Sequence, residues 1–227
     1  HNIFTTYCIT NKMNNLKIKI GISLRITNAI NYEEKRDSLS HDWVEFLESI
    51  NIIPILIPNS ISNVDDYLKN LHLDGLILSG GDNIGDDKKR DDTETKIIKF
   101  GIMNKLPIFG VCRGMQIINN FFNGTIEKTS SMNHVNNSHS IQIHNENFIR
   151  FLDNSITVNS FHQNLINKNN IGTDLEIFAT SEIDKTIEGF YHRNYPIIGV
   201  MWHPERLKIQ ESQKIISKIF HEKNFWC

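Results

Sequence analysis

The run Gly110-Val111-Cys112-Arg113-Gly114-Met115-Gln116 sets a cysteine between two glycines, directly after the apolar segment Leu106-Pro107-Ile108-Phe109. This is the form of a nucleophile elbow. A sharp strand-to-helix turn lifts the thiol out of a sheet, small neighbours allow close backbone approach, and the helix N-terminus favours the thiolate. Cys112 is therefore the candidate nucleophile. A second apolar run, Pro196-Ile197-Ile198-Gly199-Val200, leads into Met201-Trp202-His203-Pro204-Glu205. His203 offers a base there, and Glu205, two positions on, offers a carboxylate to orient it. Either residue alone has an ordinary explanation, since a buried cysteine is a small hydrophobe and a core histidine is a hydrogen-bonded one. The conjunction is much rarer, and it permits attack of a thiolate on an amide carbonyl, a thioester, and hydrolysis of that thioester by water.

Such a reaction needs donors for the oxyanion. The backbone N–H of Arg113, just after the nucleophile, is one candidate, and the turn Ser79-Gly80-Gly81-Asp82, at the end of the apolar segment Asp74–Leu78, can supply another. Gln116 falls one turn into the elbow helix, close enough to orient the nucleophile loop or a substrate. His134, His139 and His144 recur at a spacing of five, which is not a usual zinc pattern and has no cysteine or carboxylate motif beside it. No metal site and no cofactor are expected.

The elements that must position these groups alternate. Leu16–Ile22 reads as an opening strand, Ser40 as the N-cap of a helix over His41–Ile50, Ile52–Ile57 as a strand, Asn63–Leu71 as a helix, and Asp74–Leu78 as a strand ending in glycines. Asp91 with Glu94 has the spacing of a capping box and predicts a helix from there through Leu106. Strand and helix in alternation imply a parallel sheet covered on both faces, with active groups beyond the C-terminal strand ends. After the elbow helix the pattern changes to short alternating pieces at Thr125–Lys128, Ile141–His144, Ile156–Val158, Leu175–Ala179 and Ile187–His192, which predict antiparallel strands. The polar stretch Thr129–Ser140 reads as a loop, and Gln210–Glu222 as a closing amphipathic helix.

The 227 residues, 39% hydrophobic and 22% charged, suit one domain, taken as 16–227, with 1–15 read as an extension or frayed arm. A net charge of -2 from 24 basic and 26 acidic residues gives no field for nucleic acid. No apolar run reaches the length of a membrane span and no signal-peptide pattern opens the chain, so a cytoplasmic protein is expected. Cys8, Cys112 and Cys227 are odd in number and far apart, which supports neither a disulfide framework nor a Cys-x-x-Cys site. Oligomeric state leaves no signature.

From Lys17 to the last helix the chain resembles the class I glutamine amidotransferase superfamily. The resemblance is carried by the Cys112 elbow, Ser79-Gly80-Gly81-Asp82, Asn159-Ser160-Phe161-His162-Gln163 and Trp202-His203-Pro204-Glu205. It implies an α/β fold of flavodoxin-like type, a mostly parallel sheet flanked by helices with antiparallel additions in the C-terminal half. It also implies an oxyanion role for Gly81, with Gly80 or Asp82 as neighbouring possibilities, glutamyl binding by Gln116, and substrate contact by Ser160 and His162. Glutaminase domains of the superfamily usually carry Leu-Gly after the cysteine, where this chain has Arg113-Gly114. Cys112-Arg113-Gly114-Met115-Gln116 looks more like the free-standing γ-glutamyl hydrolase branch. Within that branch it resembles the hydrolases of γ-glutamyl-γ-aminobutyrate and, through Arg90-Asp91-Asp92-Thr93-Glu94 and Met201–Arg206, more closely those of γ-glutamyl-CDP-amidate in bacterial capsule phosphoramidate synthesis. The implied partner is then a small γ-glutamyl substrate, a nucleotide amidate. The compact basic run Lys88-Lys89-Arg90 is either a solvated helix flank or a phosphate contact at the pocket mouth, where Arg113 or Arg206 can add charge. A glutaminase that feeds ammonia to a synthase partner is the competing implication.

Overall fold

The computed structural model describes residues 17–129, 134–207 and 209–226; the expected N-terminal extension, Cys8 and Cys227 lie outside them. In chain order the elements are β1 (Ile18–Ser23), β2 (Arg25–Asn28), β3 (Lys35–Ser38), α1 (His41–Ser49), β4 (Ile52–Ile57), α2 (Val64–Leu71), β5 (Gly75–Leu78), α3 (Lys88–Met103), β6 (Ile108–Val111) and α4 (Arg113–Phe121). There follow β7 (Glu127–Lys128), β8 (Val135–Ile143), α5 (Glu146–Ile149), β9 (Ser155–Phe161), β10 (Asn164–Leu165), β11 (Leu175–Ser181), β12 (Ile187–His192), β13 (Ile197–Val200) and α6 (Gln210–Glu222).

Nine strands form one sheet in the order β4-β1-β5-β6-β13-β12-β11-β8-β9. β4, β1, β5, β6 and β13 run parallel to one another, and β12, β11, β8 and β9 continue the sheet antiparallel from β13. The period of two along β6 shows why both faces are covered. Phe109 and Val111 enter a core with Trp43, Phe46 and Leu47 of α1 and Ile215, Ile216 and Ile219 of α6. Ile108 enters the opposite core with Leu68 of α2, Ile97 and Ile98 of α3, and Met115 and Ile118 of α4. At ~25 cal/mol per Å² of buried apolar surface, these two layers supply the main drive to fold.

Two expectations are corrected. The helix read as starting at Asp91 starts at Lys88, capped by Asp87, whose side chain accepts from the Lys89 N–H. Asp91 and Glu94 are not its box, because both carboxylates are engaged by the Arg113 guanidinium. The polar stretch read as a loop becomes strand β8 from Val135 onward, paired with β9; residues 130–133 lie outside the described set. Of its three buried positions, His139, Ile141 and Ile143, the first is polar and follows the exposed run Asn136–Ser138, which hid the alternation. The β2–β3 hairpin, too short and polar to read, had no prediction. No helix among the described residues is long and apolar enough to cross a membrane.

Candidate active site

Cys112 sits where β6 ends and α4 begins, with φ 51 and ψ -105. A non-glycine residue in this region carries strain of order 1–3 kcal/mol, and the surroundings must hold it there. They do so through the ladder: Cys112 N–H donates to Val200 O at 2.8 Å, and Gln116 N–H donates to Cys112 O at 3.0 Å. Gly114 is required by packing, since a Cβ at that position would stand 2.0 Å from Leu78 O. The glycine after the nucleophile lets α4 rest directly on β5, which aims the helix N-terminus at the thiol.

His203 lies three residues past β13, the strand next to β6. Its backbone is gripped by one side chain: the His203 N–H donates to Asn159 Oδ1 at 2.8 Å, and Asn159 Nδ2 donates to His203 O at 3.0 Å. The ring donates from Nδ1 to Glu205 Oε1 at 2.7 Å, which leaves Nε2 for Cys112. Burial alone would lower the His203 pKa, but interaction with the Cys112 sulfur and with the Glu205 carboxylate overrides it and raises the value to about 9. The imidazolium beside the sulfur at neutral pH is placed to give its proton to a departing group. The three predicted residues are therefore brought together, each buried, in an arrangement competent for nucleophilic attack and proton return.

The loop after β5 closes this site from the other side. A Cβ on Gly80 would stand 2.7 Å from His203 Cε1 and 3.6 Å from Cys112 Cβ, so only glycine fits. Gly81 follows with φ +95 and lines the pocket. Arg113 is the first residue of α4, where the helix itself offers its N–H no acceptor. Sequence reasoning missed what holds the loop. Arg90 is buried, and its Nη2 donates to Ser79 O and Gly80 O, both at 2.9 Å, while Nε bonds Glu94 Oε1 at 3.1 Å and Nη1 pairs with Asp82 at 3.2 Å. Glu94 also takes the Ser23 hydroxyl at 2.8 Å and the Arg113 guanidinium, which extends to Asp91. Turning two loop carbonyls toward Arg90 faces them away from an incoming oxyanion. The only sequence signal was the i,i+4 pair Arg90 and Glu94, which reads equally as a surface bridge.

A cavity of about 400 Å³ opens over Cys112, lined by Gly81, Gln116, Phe161, His162, His203 and Arg206 among others. That volume suits a small-molecule ligand. Gln116 is placed there as expected, its amide oxygen 3.4 Å from Asn164 Nδ2. Ser160 is not in the lining; its hydroxyl is buried and donates to His134 O at 2.8 Å. His162 contributes to the wall, but its Nδ1 is bonded to Asn164 O at 3.0 Å and its Nε2 is turned to Glu188. Lys88 and Lys89 are exposed on α3 and absent from the lining, and Arg90 and Arg113 are spent on their carboxylates. Among the described wall residues Arg206 is the partly exposed cation, 3.8 Å from Glu205 Oε1 and stacked at 4.8 Å over the half-exposed Phe161 ring.

Residues 19–205 match the Peptidase C26 family. The chain is 34% identical over 194 residues to γ-glutamyl-CDP-amidate hydrolase of Campylobacter jejuni, covering 82% of this chain and 90% of the relative. It is 30% identical over 187 residues to anthranilate synthase component 2 of Cyanophora paradoxa, covering 82% and 94%. Among solved structures, a Thermoplasma acidophilum protein described as one component of a GMP synthase superposes with a TM-score of 0.70 at 26% identity, covering 90% of this chain and 93% of that one. A glutamine amidotransferase of Thermotoga maritima, at 12% identity, shares the fold with a TM-score of 0.62 over 91% and 84%.

Proposed function

Because the chain belongs to the Peptidase C26 family, we propose that it is a cysteine-dependent hydrolase of γ-glutamyl amide bonds whose substrate is a γ-glutamyl nucleotide amidate of the γ-glutamyl-CDP-amidate type. The Cys112 thiolate attacks the γ-carbonyl carbon, and the oxyanion so formed is met by the N–H groups of Gly81 and Arg113. Collapse breaks the C–N bond, and His203 Nε2–H gives its proton to the departing nitrogen. Neutral His203 then takes a proton from water as it attacks the thioester, glutamate leaves, and the thiolate and imidazolium are restored. Glu205 holds the ring and its charge throughout. Gln116 lies at the inner wall, where the glutamyl group sits.

One observation carries the nucleotide part: an exposed aromatic ring and a guanidinium, Phe161 and Arg206, stand together at the wall of the pocket above Cys112. A base can stack on the first while a phosphate pairs with the second. Similarity to the Campylobacter jejuni enzyme supports the same leaving group, and with it a role in capsule phosphoramidate synthesis. The test is glutamate release by the purified protein from γ-glutamyl-CDP-amidate, γ-glutamyl-γ-aminobutyrate and glutamine in parallel. Preference for the nucleotide amidate is expected. Preference for the aminobutyrate conjugate would make it a catabolic hydrolase, and activity appearing only with glutamine and a synthase would make it the glutaminase of a larger enzyme; either result overturns the proposal.

A further inference from the structure

Behind the pocket wall, β8, β9 and β12 bring together four buried groups that the proposed chemistry does not use: His134, His139, His162 and Glu188. Two of the three imidazoles have one nitrogen fixed from outside the cluster. His134 Nε2 donates to Asp184 Oδ2 at 2.8 Å, and His162 Nδ1 donates to Asn164 O at 3.0 Å. In a neutral ring the other nitrogen is then a bare lone pair. Both lone pairs face the same carboxylate oxygen: His134 Nδ1 stands 3.8 Å and His162 Nε2 3.7 Å from Glu188 Oε1, with His139 Nε2 at 3.4 Å. Among the described residues, none of these four atoms has a hydrogen-bond partner, nor has Glu188 Oε2.

Buried acceptors pointed at one another are costly unless a positive charge lies between them. A proton on His139 Nε2 can satisfy one of the three contacts, and the other two stay unmet. We propose that His134 Nδ1, His139 Nε2, His162 Nε2 and Glu188 Oε1 form a closed tetrahedral site for a divalent transition-metal ion of the zinc type. The donor set suits such an ion, and bonds of ~2.0–2.2 Å require ligand-to-ligand edges of roughly 3.4 Å, within about 0.4 Å of all three separations from Glu188 Oε1. The donor atoms of His134, His139 and Glu188 lie within 4.8 Å of one another. His134 already has the carboxylate on its far nitrogen that metal-bound histidines usually have. The two charges of the ion are matched by Glu188 and Asp184. With four protein ligands no position is open to substrate, so the ion is structural. It ties β12 and β8 to the end of β9, where Phe161 and His162 form the pocket wall. The histidine spacing of five gave no hint of this, because the carboxylate and the third imidazole arrive from other strands.

The test uses tag-free full-length Cys112→Ala protein, so that the candidate nucleophile cannot bind metal, stripped with a chelator and titrated with zinc sulfate or cobalt chloride. One equivalent of zinc is expected, with a Tm rise of roughly 5–10 °C at about 100 times Kd. Cobalt should give the intense visible bands of a tetrahedral site. Both signals should vanish in Glu188→Gln and in His139→Ala, and persist in His144→Ala, whose ring bonds Thr180 outside the cluster. Should a variant fail to fold, anomalous scattering at the zinc edge from crystals of the parent decides the location. A parent that takes up no zinc, bands that survive Glu188→Gln, or an anomalous peak away from these four residues would each overturn the proposal.

Discussion

Replacing Glu205 by glutamine removes one negative charge from the imidazole while keeping the shape of the side chain. The carboxylate accepts the Nδ1–H at 2.7 Å, and His203 stands at about 9 against an ordinary 6.5, a difference of ~3 kcal/mol between its two protonation states. Burial pulls the other way, so the rise comes from the Cys112 sulfur and Glu205 acting together. An opposite charge at this range accounts for about one to two pKa units. Glu205→Gln should therefore move the alkaline limb of kcat from near pH 9 down by that amount, because the proton for the leaving nitrogen is lost earlier. The rate at neutral pH should also fall by roughly 100-fold or more as the ring loses its orientation. Initial rates of glutamate release, quenched and then quantified at one common pH, measure both. The linkage has a definite sign as well: a raised histidine pKa contributes stability that is fully present below 6.5 and lost as pH rises through about 9. Denaturant midpoints of the wild type should fall across that window, and those of Glu205→Gln should fall less. An alkaline limb that stays in place in the variant would refute the coupling of Glu205 to His203.

Four further outcomes are expected. Cys112→Ala should abolish glutamate release, by ~1000-fold or more, and leave the fold intact by circular dichroism; residual turnover near wild type would end the thioester scheme. Gly80→Ala should lower kcat at least ~10-fold with native secondary structure, since its Cβ would press on His203 Cε1 at 2.7 Å; unchanged kcat would mean that the loop does not stand against the base. Arg113→Met leaves Glu94 with Arg90 as its remaining cation and strips Asp91 of its guanidinium partner, a loss of charged hydrogen bonds that costs roughly 1–3 kcal/mol and should drop Tm by about 2–12 °C in a scanning calorimeter; a rise in Tm would show the network to be dispensable. Arg206→Ala should raise KM about 10-fold for the nucleotide amidate and leave that for γ-glutamyl-γ-aminobutyrate unchanged, and equal effects on both would remove Arg206 from phosphate recognition.

The parallel half of the fold was legible because its strands are aliphatic runs closed by glycine turns, and because Ser40 caps α1 as its residue type predicts. The elbow was legible for the same reason: Gly114 has a steric task that no other residue can perform. What escaped was polar structure inside the molecule. Asn159, quoted only as part of a motif, turns out to clamp both backbone groups of His203. Arg90, Glu94 and Arg113 look like surface charge in the sequence yet are buried under the Ser79–Asp82 turn, and the pull of Arg113 on Asp91 and Glu94 is what defeated the capping-box reading. Such networks join α3 to α4 and to β1, and one-dimensional spacing holds no record of them. β8 failed for a related reason, since a strand whose inward side chains include His139 does not alternate in hydropathy.

Cys112 and His203 follow neighbouring strands of one sheet, β6 and β13, joined through the bond from the Cys112 N–H to Val200 O. Everything the chain does between α4 and β13 happens as an excursion that leaves from one strand and returns to the next. The separation of the proposed nucleophile and base is thereby set by the β6–β13 register together with one residue of the excursion, Asn159, which holds the His203 backbone. That excursion also contains Phe161 and His162 of the pocket wall, so the lining of the pocket can diversify while the proposed catalytic pair keeps its spacing. A family built this way can change what it cleaves without relearning how to cleave.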